Sequence, residues 1–317
     1  MTDTQIPTTR RRLLVLLAAV SGLAVVAWAC LTGWGGIVHG HPAYAVLLLL
    51  TLAGSLLVAW RARRPLPRRT GWRAAVGPVA LVLGVAWLGA MAWLRPMSSV
   101  EPALAAMRSD ASVTVDESAT RIVLAPATAP GGTALLFQPG ALVDPRAYAA
   151  VLRPIAEAGH TVVIAKPPLG IAFLSIGASD AARSEHPDAA RWVLGGHSLG
   201  GVVAAAEADR TDGDATAPAA GLVLYASYPA GDLSDSLTAA VLSISGSRDG
   251  LSTPARIDAS RADLPTEAAF LVIDGAVHAY FGDYGPQRGD GTPTITHDDA
   301  RQQISRATVD FVSALGG

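Results

Sequence analysis

The chain has 317 residues with 24 basic and 26 acidic side chains, so its net charge of −2 selects no partner, and no nucleic acid is expected as one. A single cysteine, Cys30, excludes an internal disulfide and any zinc cluster built on several thiolates. The charge is unevenly spread: residues 1–100 carry ten Arg and one Asp, whereas the rest carry 14 basic and 25 acidic residues. A basic third joined to an acidic two-thirds implies two bodies in different surroundings.

The first three elements are apolar runs without charge, Leu13–Val38, Pro42–Trp60 and Ala74–Leu94. A membrane-spanning helix needs ~20 apolar residues, so residues 1–96 are expected to form a membrane region with three transmembrane helices. Arg10–Arg12 precede the first run, and six Arg between Arg61 and Arg73 fill the link between the second and third. Cytoplasmic loops collect Arg, which puts the N-terminus inside. Trp34, Trp60, Trp72 and Trp93 lie near the run ends, where indole favours the headgroup zone. Three crossings place everything after Arg95 outside, making a multi-pass protein of the cell membrane with its soluble part on the extracytoplasmic side. The bilayer is thus one expected partner. A competing reading cleaves the chain before Cys30 as a lipoprotein signal, but Trp28 is bulky where such sites want small residues. No acidic or basic side chain interrupts the three runs to mark a transport pathway.

Residues 97–118 read as a linker and first strand. From 119 to 317, apolar β-type runs alternate with helical patterns. The runs are Arg121–Ala125, Thr133–Gln138, Thr161–Ala165, Arg191–Leu194, Gly221–Ala226, Val241–Ser245 and Phe270–Ile273. Helices are expected over Arg146–Ala158, Ser179–His186, Leu199–Asp209, Pro254–Ala262 and Asp298–Leu315. Continuous apolar strands with helical crossovers define an α/β fold, a mostly parallel sheet covered by helices on both faces. The link from Ala226 to Val241 is too short for a lid, so an open pocket favouring short acyl groups is expected.

Gly196-His197-Ser198-Leu199-Gly200 fits G-x-S-x-G between a strand run and a helical run. Gly196 and Gly200 are the expected elbow glycines, letting strand and helix pass closely and lifting the Ser198 hydroxyl above the sheet. The same turn aims the Leu199 amide at a developing oxyanion. A serine hydroxyl needs a base, and the base an orienting carboxylate, in the chain order Ser, acid, His. His278 follows a strand run in a turn-rich loop and is the expected base. His297, beside Asp298 and Asp299, reads as a cap. Asp249, in Gly246-Ser247-Arg248-Asp249-Gly250, is the expected acid, with Asp232 the alternative after the preceding strand. A second oxyanion amide is expected from the loop Phe137–Leu142, with Ala141 the best candidate. Tyr280, Phe281 and Tyr284, in the Gly-, Asp- and Pro-rich loop after His278, are candidate pocket walls.

With FQPGALVDPRAY, GGHSLGG, SGSRDGLSTP and GAVHAYFGDYGPQ in place, the chain from about Val113 to Leu315 resembles the α/β-hydrolase superfamily. It is most similar to the compact, capless "α/β-hydrolase fold-5" group related to dienelactone hydrolases. The resemblance implies Ser198 as nucleophile, Asp249 as acid, His278 as base, and Leu199 and Ala141 as oxyanion amides. This chain has Pro139-Gly140 where many relatives carry His-Gly. No metal or organic cofactor is implied. The expected function is a membrane-anchored serine hydrolase acting on an ester or similar acyl bond of a small-molecule or lipid-like substrate. An acyltransferase with the same triad, and a non-catalytic binding protein that kept the fold, are the alternatives.

Overall fold

The computed structural model describes residues 8–64, 76–128 and 130–316. The chain divides into two compact units that meet in sequence between Arg95 and Pro96, with His39–His41 grouped with the second.

The first unit holds helices α1 (Thr8–His39), α2 (Pro42–Ala62) and α3 (Val76–Trp93). Small residues let them approach: a Cβ at Gly22 of α1 would overlap the Ser55 side chain of α2. The Tyr44 hydroxyl donates to the Met91 carbonyl at 2.7 Å, and the Trp87 indole N–H to Thr51 Oγ1 at 2.9 Å, so polar groups of α2 and α3 satisfy one another. Leu31, Leu49, Leu57, Val82 and Leu83 point outward and are exposed. Two helical stretches, Arg11–His39 and Pro42–Ala62, are long and apolar enough to cross a membrane; Gly77–Trp93 is shorter. Arg68, Arg69, Trp72 and Arg73, and Ala74 at the start of the third expected span, lie outside the described residues.

The second unit is built on eight strands: β1 (Val113–Glu117), β2 (Arg121–Pro126), β3 (Thr133–Gln138), β4 (Thr161–Ala165), β5 (Arg191–His197), β6 (Ala219–Tyr225), β7 (Ala240–Gly246) and β8 (Ala269–Ile273). They form one sheet in the order β1-β2-β4-β3-β5-β6-β7-β8. The pairs β1–β2 and β2–β4 are antiparallel and the other five are parallel, so the sheet is mixed. Between and after them come α4 (Ala103–Ala106), α5 (Ala149–Glu157), α6 (Ala178–Glu185), α7 (Leu199–Thr211), α8 (Pro254–Ala259) and α9 (His297–Ala314).

The core follows from the two-residue period of a strand. Leu135, Phe137, Val162, Ile164, Val193, Val223 and Tyr225 face one side, against Leu152 and Ile155 of α5 and Ile304 of α9. Their neighbours Ala134, Leu136, Val163, Leu194, Leu222 and Leu224 face the other, against Ala182 of α6 and Ala204, Ala205 and Ala208 of α7. Because both faces are covered, the central strands carry apolar side chains on both, which is why they read as nearly continuous runs. Each fully buried Leu or Ile contributes about 1.5–3 kcal/mol.

Two segments depart from the sequence expectation. β5 does not stop at Leu194. Gly195 and Gly196 continue the ladder opposite Phe137 and Gln138 of β3, and the chain turns only at Ser198. The glycines serve the helix that crosses above them rather than a break in the strand. The expected linker is laid onto the unit: Met97 N–H donates to the Leu142 carbonyl at 2.7 Å, Asp144 N–H to the Met97 carbonyl at 2.9 Å, and Ser99 Oγ to Asp144 at 3.0 Å.

Candidate active site

The carboxyl ends of β3 to β6 carry unusual backbone. Leu142 (φ 60°), Leu169 (56°), Ser198 (52°) and Ala226 (45°) each follow one of these strands, and they are the non-glycine residues with positive φ among the described residues. Such conformations cost about 1–3 kcal/mol each and persist only where the surroundings impose them. At Ser198 the cause is visible. A Cβ on Gly196 would run into the Gly200 carbonyl group, and one on Gly200 into the carbonyls of Gln138 and Pro139. Helix α7 therefore starts in backbone contact with β5 and the end of β3, and Ser198 must turn sharply to join strand to helix. Its N–H donates to the Tyr225 carbonyl at 3.0 Å, and Ser227 Oγ donates to its carbonyl at 2.7 Å, locking the turn.

Beyond β7 and β8 the structure brings Asp249 and His278 together. His278 Nδ1 lies 2.8 Å from Asp249 Oδ2, and both side chains are buried, at 1% and 0% exposure. The other carboxylate oxygen accepts from the amides of Leu251 and Ser252, each at 2.8 Å. With Nδ1–H donating to the carboxylate, Nε2 is the basic nitrogen of the ring. The imidazole stands beside the elbow, its centroid 4.5 Å from that of His197, the residue preceding Ser198. Asp232 is elsewhere: it closes a local turn on Ser234 at an exposed site. His297 is stacked on Tyr280 and lies 3.5 Å from Asp283, while Thr296 caps α9.

The loop after β3 offers its amides selectively. Gly140 N–H donates to the Tyr148 hydroxyl at 2.9 Å, Leu142 N–H to the Gly170 carbonyl at 2.8 Å, and Val143 N–H back to Gly140 at 3.2 Å. Among the described residues, Ala141 N–H between them and Leu199 N–H at the start of α7 have no acceptor. Leu199 N–H opens a helix, where uncompensated amides and the dipole favour negative charge.

Three supporting residues were not singled out from the sequence. Tyr148 accepts from Gly140 and pairs with His197 Nδ1 at 2.8 Å, so it ties the β3 loop to the elbow. Burial raises the Tyr148 phenol well above its ordinary range, keeping it a donor to His197. His197 is itself fully enclosed. Burial first, then the neighbouring His278, hold its imidazole well below 6.5, and a main-chain contact with His278 offsets this in part. Asp290 braces the other two loops: Oδ1 accepts from Gly250 and His278 N–H, both at 3.1 Å, and Oδ2 from Ala279 N–H at 2.8 Å. Only the G-x-S-x-G spacing hinted at His197; Tyr148 and Asp290 carry no local signal. Of the three candidate wall aromatics, Phe281 is buried and stacks near-parallel on His197 (12°), Tyr284 is buried beside it, and Tyr280 packs on His297.

An elbow serine at the carboxyl edge of a mixed sheet, with a buried His–Asp pair next to it, defines a hydrolase of the α/β class. The sequence matches the model of the alpha/beta hydrolase family over residues 134–303, and the chain belongs to that family. Among solved structures it is similar to a thermophilic esterase from Thermogutta terrifontis, at 16% identity and a TM-score of 0.44, covering 64% of this chain and 92% of that one. It is also similar to a monoacylglycerol lipase from Paleococcus ferrophilus, at 14% identity and a TM-score of 0.47, covering 64% and 99%. No match to this chain was found among curated proteins.

Tyr148→Phe keeps the ring packed on Phe137, 4.9 Å away, and removes only the hydroxyl. It is expected to lower kcat for p-nitrophenyl acetate about tenfold with little change in KM, because the freed loop misaims its amide. That is less than the ~10²–10³ for deleting an oxyanion donor outright. Equal kcat in the two proteins would remove Tyr148 from the site.

His197 makes a second test. As pH falls through about 6.5 the unfolded chain binds a proton there and the folded chain does not, so stability is held above that pH and declines below it. One such proton is worth up to ~1.4 kcal/mol per pH unit. Denaturant titrations between pH 7.5 and 5 should show a shallower loss in His197→Gln than in the parent; identical slopes would contradict the assignment.

Proposed function

We propose that the chain is a membrane-anchored serine hydrolase of carboxylesterase type. The observation that carries this reading is the buried Asp249–His278 hydrogen bond beside the Ser198 elbow. Ser198 Oγ attacks the ester carbonyl carbon while its proton passes to His278 Nε2. The oxyanion lies between Leu199 N–H and Ala141 N–H, donors oriented before the reaction starts. Asp249 holds the imidazole in the tautomer that accepts this proton and balances the imidazolium charge. Collapse of the tetrahedral intermediate breaks the bond to the alcohol, which leaves with the proton from His278. Water then attacks the acyl-serine, gives a proton to His278, and the acid departs as that proton returns to Ser198 Oγ.

The membrane part of the reading is supported by two described helices of spanning length and by the uncharged third run. Three crossings, with the Arg-rich link between the second and third inside, carry the hydrolase unit to the extracytoplasmic side. Residues 1–96 then serve as the membrane region, 97–118 as strap and first strand, and 119–317 as the remainder of the catalytic unit.

A fluorophosphonate probe tests the mechanism without knowledge of the substrate. Detergent-solubilised protein should be labelled on Ser198, and Ser198→Ala should be unlabelled with stability within about 1 kcal/mol of the parent. Asp249→Asn should cut turnover of p-nitrophenyl acetate by up to ~10⁴, and Asp232→Asn should leave it nearly unchanged. Folded protein that takes no label would overturn the hydrolase reading in favour of a non-catalytic protein.

Topology is tested by fusion. A reporter active only outside the cytoplasm should be active when joined after Arg95 and silent when joined within Arg61–Arg73. The opposite pattern would place the hydrolase unit in the cytoplasm.

A further inference from the structure

The segment after β4, Pro167-Pro168-Leu169-Gly170-Ile171-Ala172-Phe173-Leu174-Ser175-Ile176-Gly177, contains no charged residue. Phe173, Leu174 and Ile176 are exposed at 48%, 53% and 69%. This is a dense exposure of large apolar side chains in a unit whose other apolar groups are mostly covered. The segment is also held in place. Ser175 Oγ donates to the Gln138 side chain at 3.2 Å, and the Gly177 amide to Glu207 at 2.8 Å; Glu207 is itself buried on α7 and also accepts from Gln138 Nε2. These bonds fix the C-terminal end of the apolar stretch, on either side of Ile176.

The stretch adjoins the site. Gly170 packs against the Leu142 backbone and accepts the Leu142 N–H, one residue beyond Ala141. The same Leu142 accepts from Met97. Met97 lies four residues after Trp93, where the last apolar helix ends. The residue bonded to the loop that carries Ala141 therefore follows the last apolar run closely in sequence. The apolar stretch and Met97 thus meet at the same residue, Leu142.

We propose that Phe173, Leu174 and Ile176 seat in the acyl-chain boundary of the bilayer, and that the ester reaching Ser198 is a lipid presented from that bilayer. The proposal rests on the reading of the chain as a membrane-anchored hydrolase. The link Ala226–Ala239 carries no helix or strand to serve as a lid. That link inserts no cover for a long acyl chain, and the bilayer supplies it.

The test uses the full chain in phosphatidylcholine vesicles, with Cys30 replaced by Ala. An environment-sensitive dye is attached to Leu174→Cys, or to Gly213→Cys on the exposed turn between α7 and β6, at the opposite edge of the sheet. A nitroxide carried on lipid tails should quench the dye at 174 at least threefold more than at 213. Equal quenching at the two positions, in protein that floats with the vesicles, would overturn the proposal whether or not the chain is a hydrolase. Protein that does not float with vesicles would overturn the anchoring, and the proposal with it. In a second arm the parent and the variant Phe173→Ser/Leu174→Ser/Ile176→Ser hydrolyse a fluorogenic diacylglycerol ester in vesicles and p-nitrophenyl acetate in solution. The variant should lose at least tenfold on the vesicle ester and keep its rate on the soluble one. Unchanged rates on both, or a parent that cleaves only the soluble ester, would overturn the lipid assignment while leaving the hydrolase intact.

Discussion

The site depends on the close crossing of α7 over the end of β5. Backbone meets backbone there, because Gly196, Gly200 and Gly201 present no Cβ to one another or to the carbonyls of Gln138 and Pro139. Two consequences follow from that contact. Ser198 takes a strained φ of 52°, which turns it out of the sheet. Leu199 becomes the first residue of a thirteen-residue helix, so its amide sits at the positive end of the dipole. The placement of the Ser198 hydroxyl and of the Leu199 amide therefore follows from one packing contact. Ordinary side chains at the glycines would push helix from strand and separate both from the loop after β3.

The partners come from three other loops, and loops move unless they are tied. The ties here are buried polar groups rather than packing alone. Tyr148 links Gly140 to His197, Asp290 links Gly250 to His278 and Ala279, and Asp249 holds Leu251 and Ser252 with one oxygen while orienting His278 with the other. Satisfied networks of this kind are stiff because breaking one bond strands a buried group. The cost is visible at His197, which is buried, kept neutral, and has no partner for Nε2 among the described residues. Phe281 beneath the ring, 5.9 Å away and nearly parallel, leaves it little room to swing toward one.

Much of this was legible in the sequence, and the reason is local. Central strands covered on both faces read as apolar runs, and Ser198, Asp249 and His278 each sit within a residue or a few of a strand end, so order along the chain nearly places them in space. What escaped is what tertiary contact decides. Gly195 and Gly196 look like a strand terminator, yet they extend β5 because a helix lies on them. Tyr148 sits in an unremarkable helical entry, and nothing nearby in sequence says that its hydroxyl reaches a turn 49 residues away. Asp290 belongs to a loop of Gly, Asp and Pro that is indistinguishable from a solvated turn until Gly250, His278 and Ala279 are seen to converge on it. The stretch after Ser98 lacks periodicity because it lies along the unit as a strap, where single hydrogen bonds rather than a face of side chains hold it.

That strap bears on the proposed function. A flexible linker would let a hydrolase sample the solution around its anchor, at an effective concentration set by linker length. Here the first residues after Arg95 are hydrogen-bonded to Leu142 and Asp144, in the loop that also carries Ala141. Arg146 pairs with Asp144 at 2.7 Å, and the carboxylate is buried, so the attachment point is itself fixed. The strap is therefore bonded to the loop that carries Ala141, the amide proposed for the oxyanion, rather than to an indifferent surface. On the proposed reading the strap and the chemistry share one loop, and holding that loop still is a requirement of both.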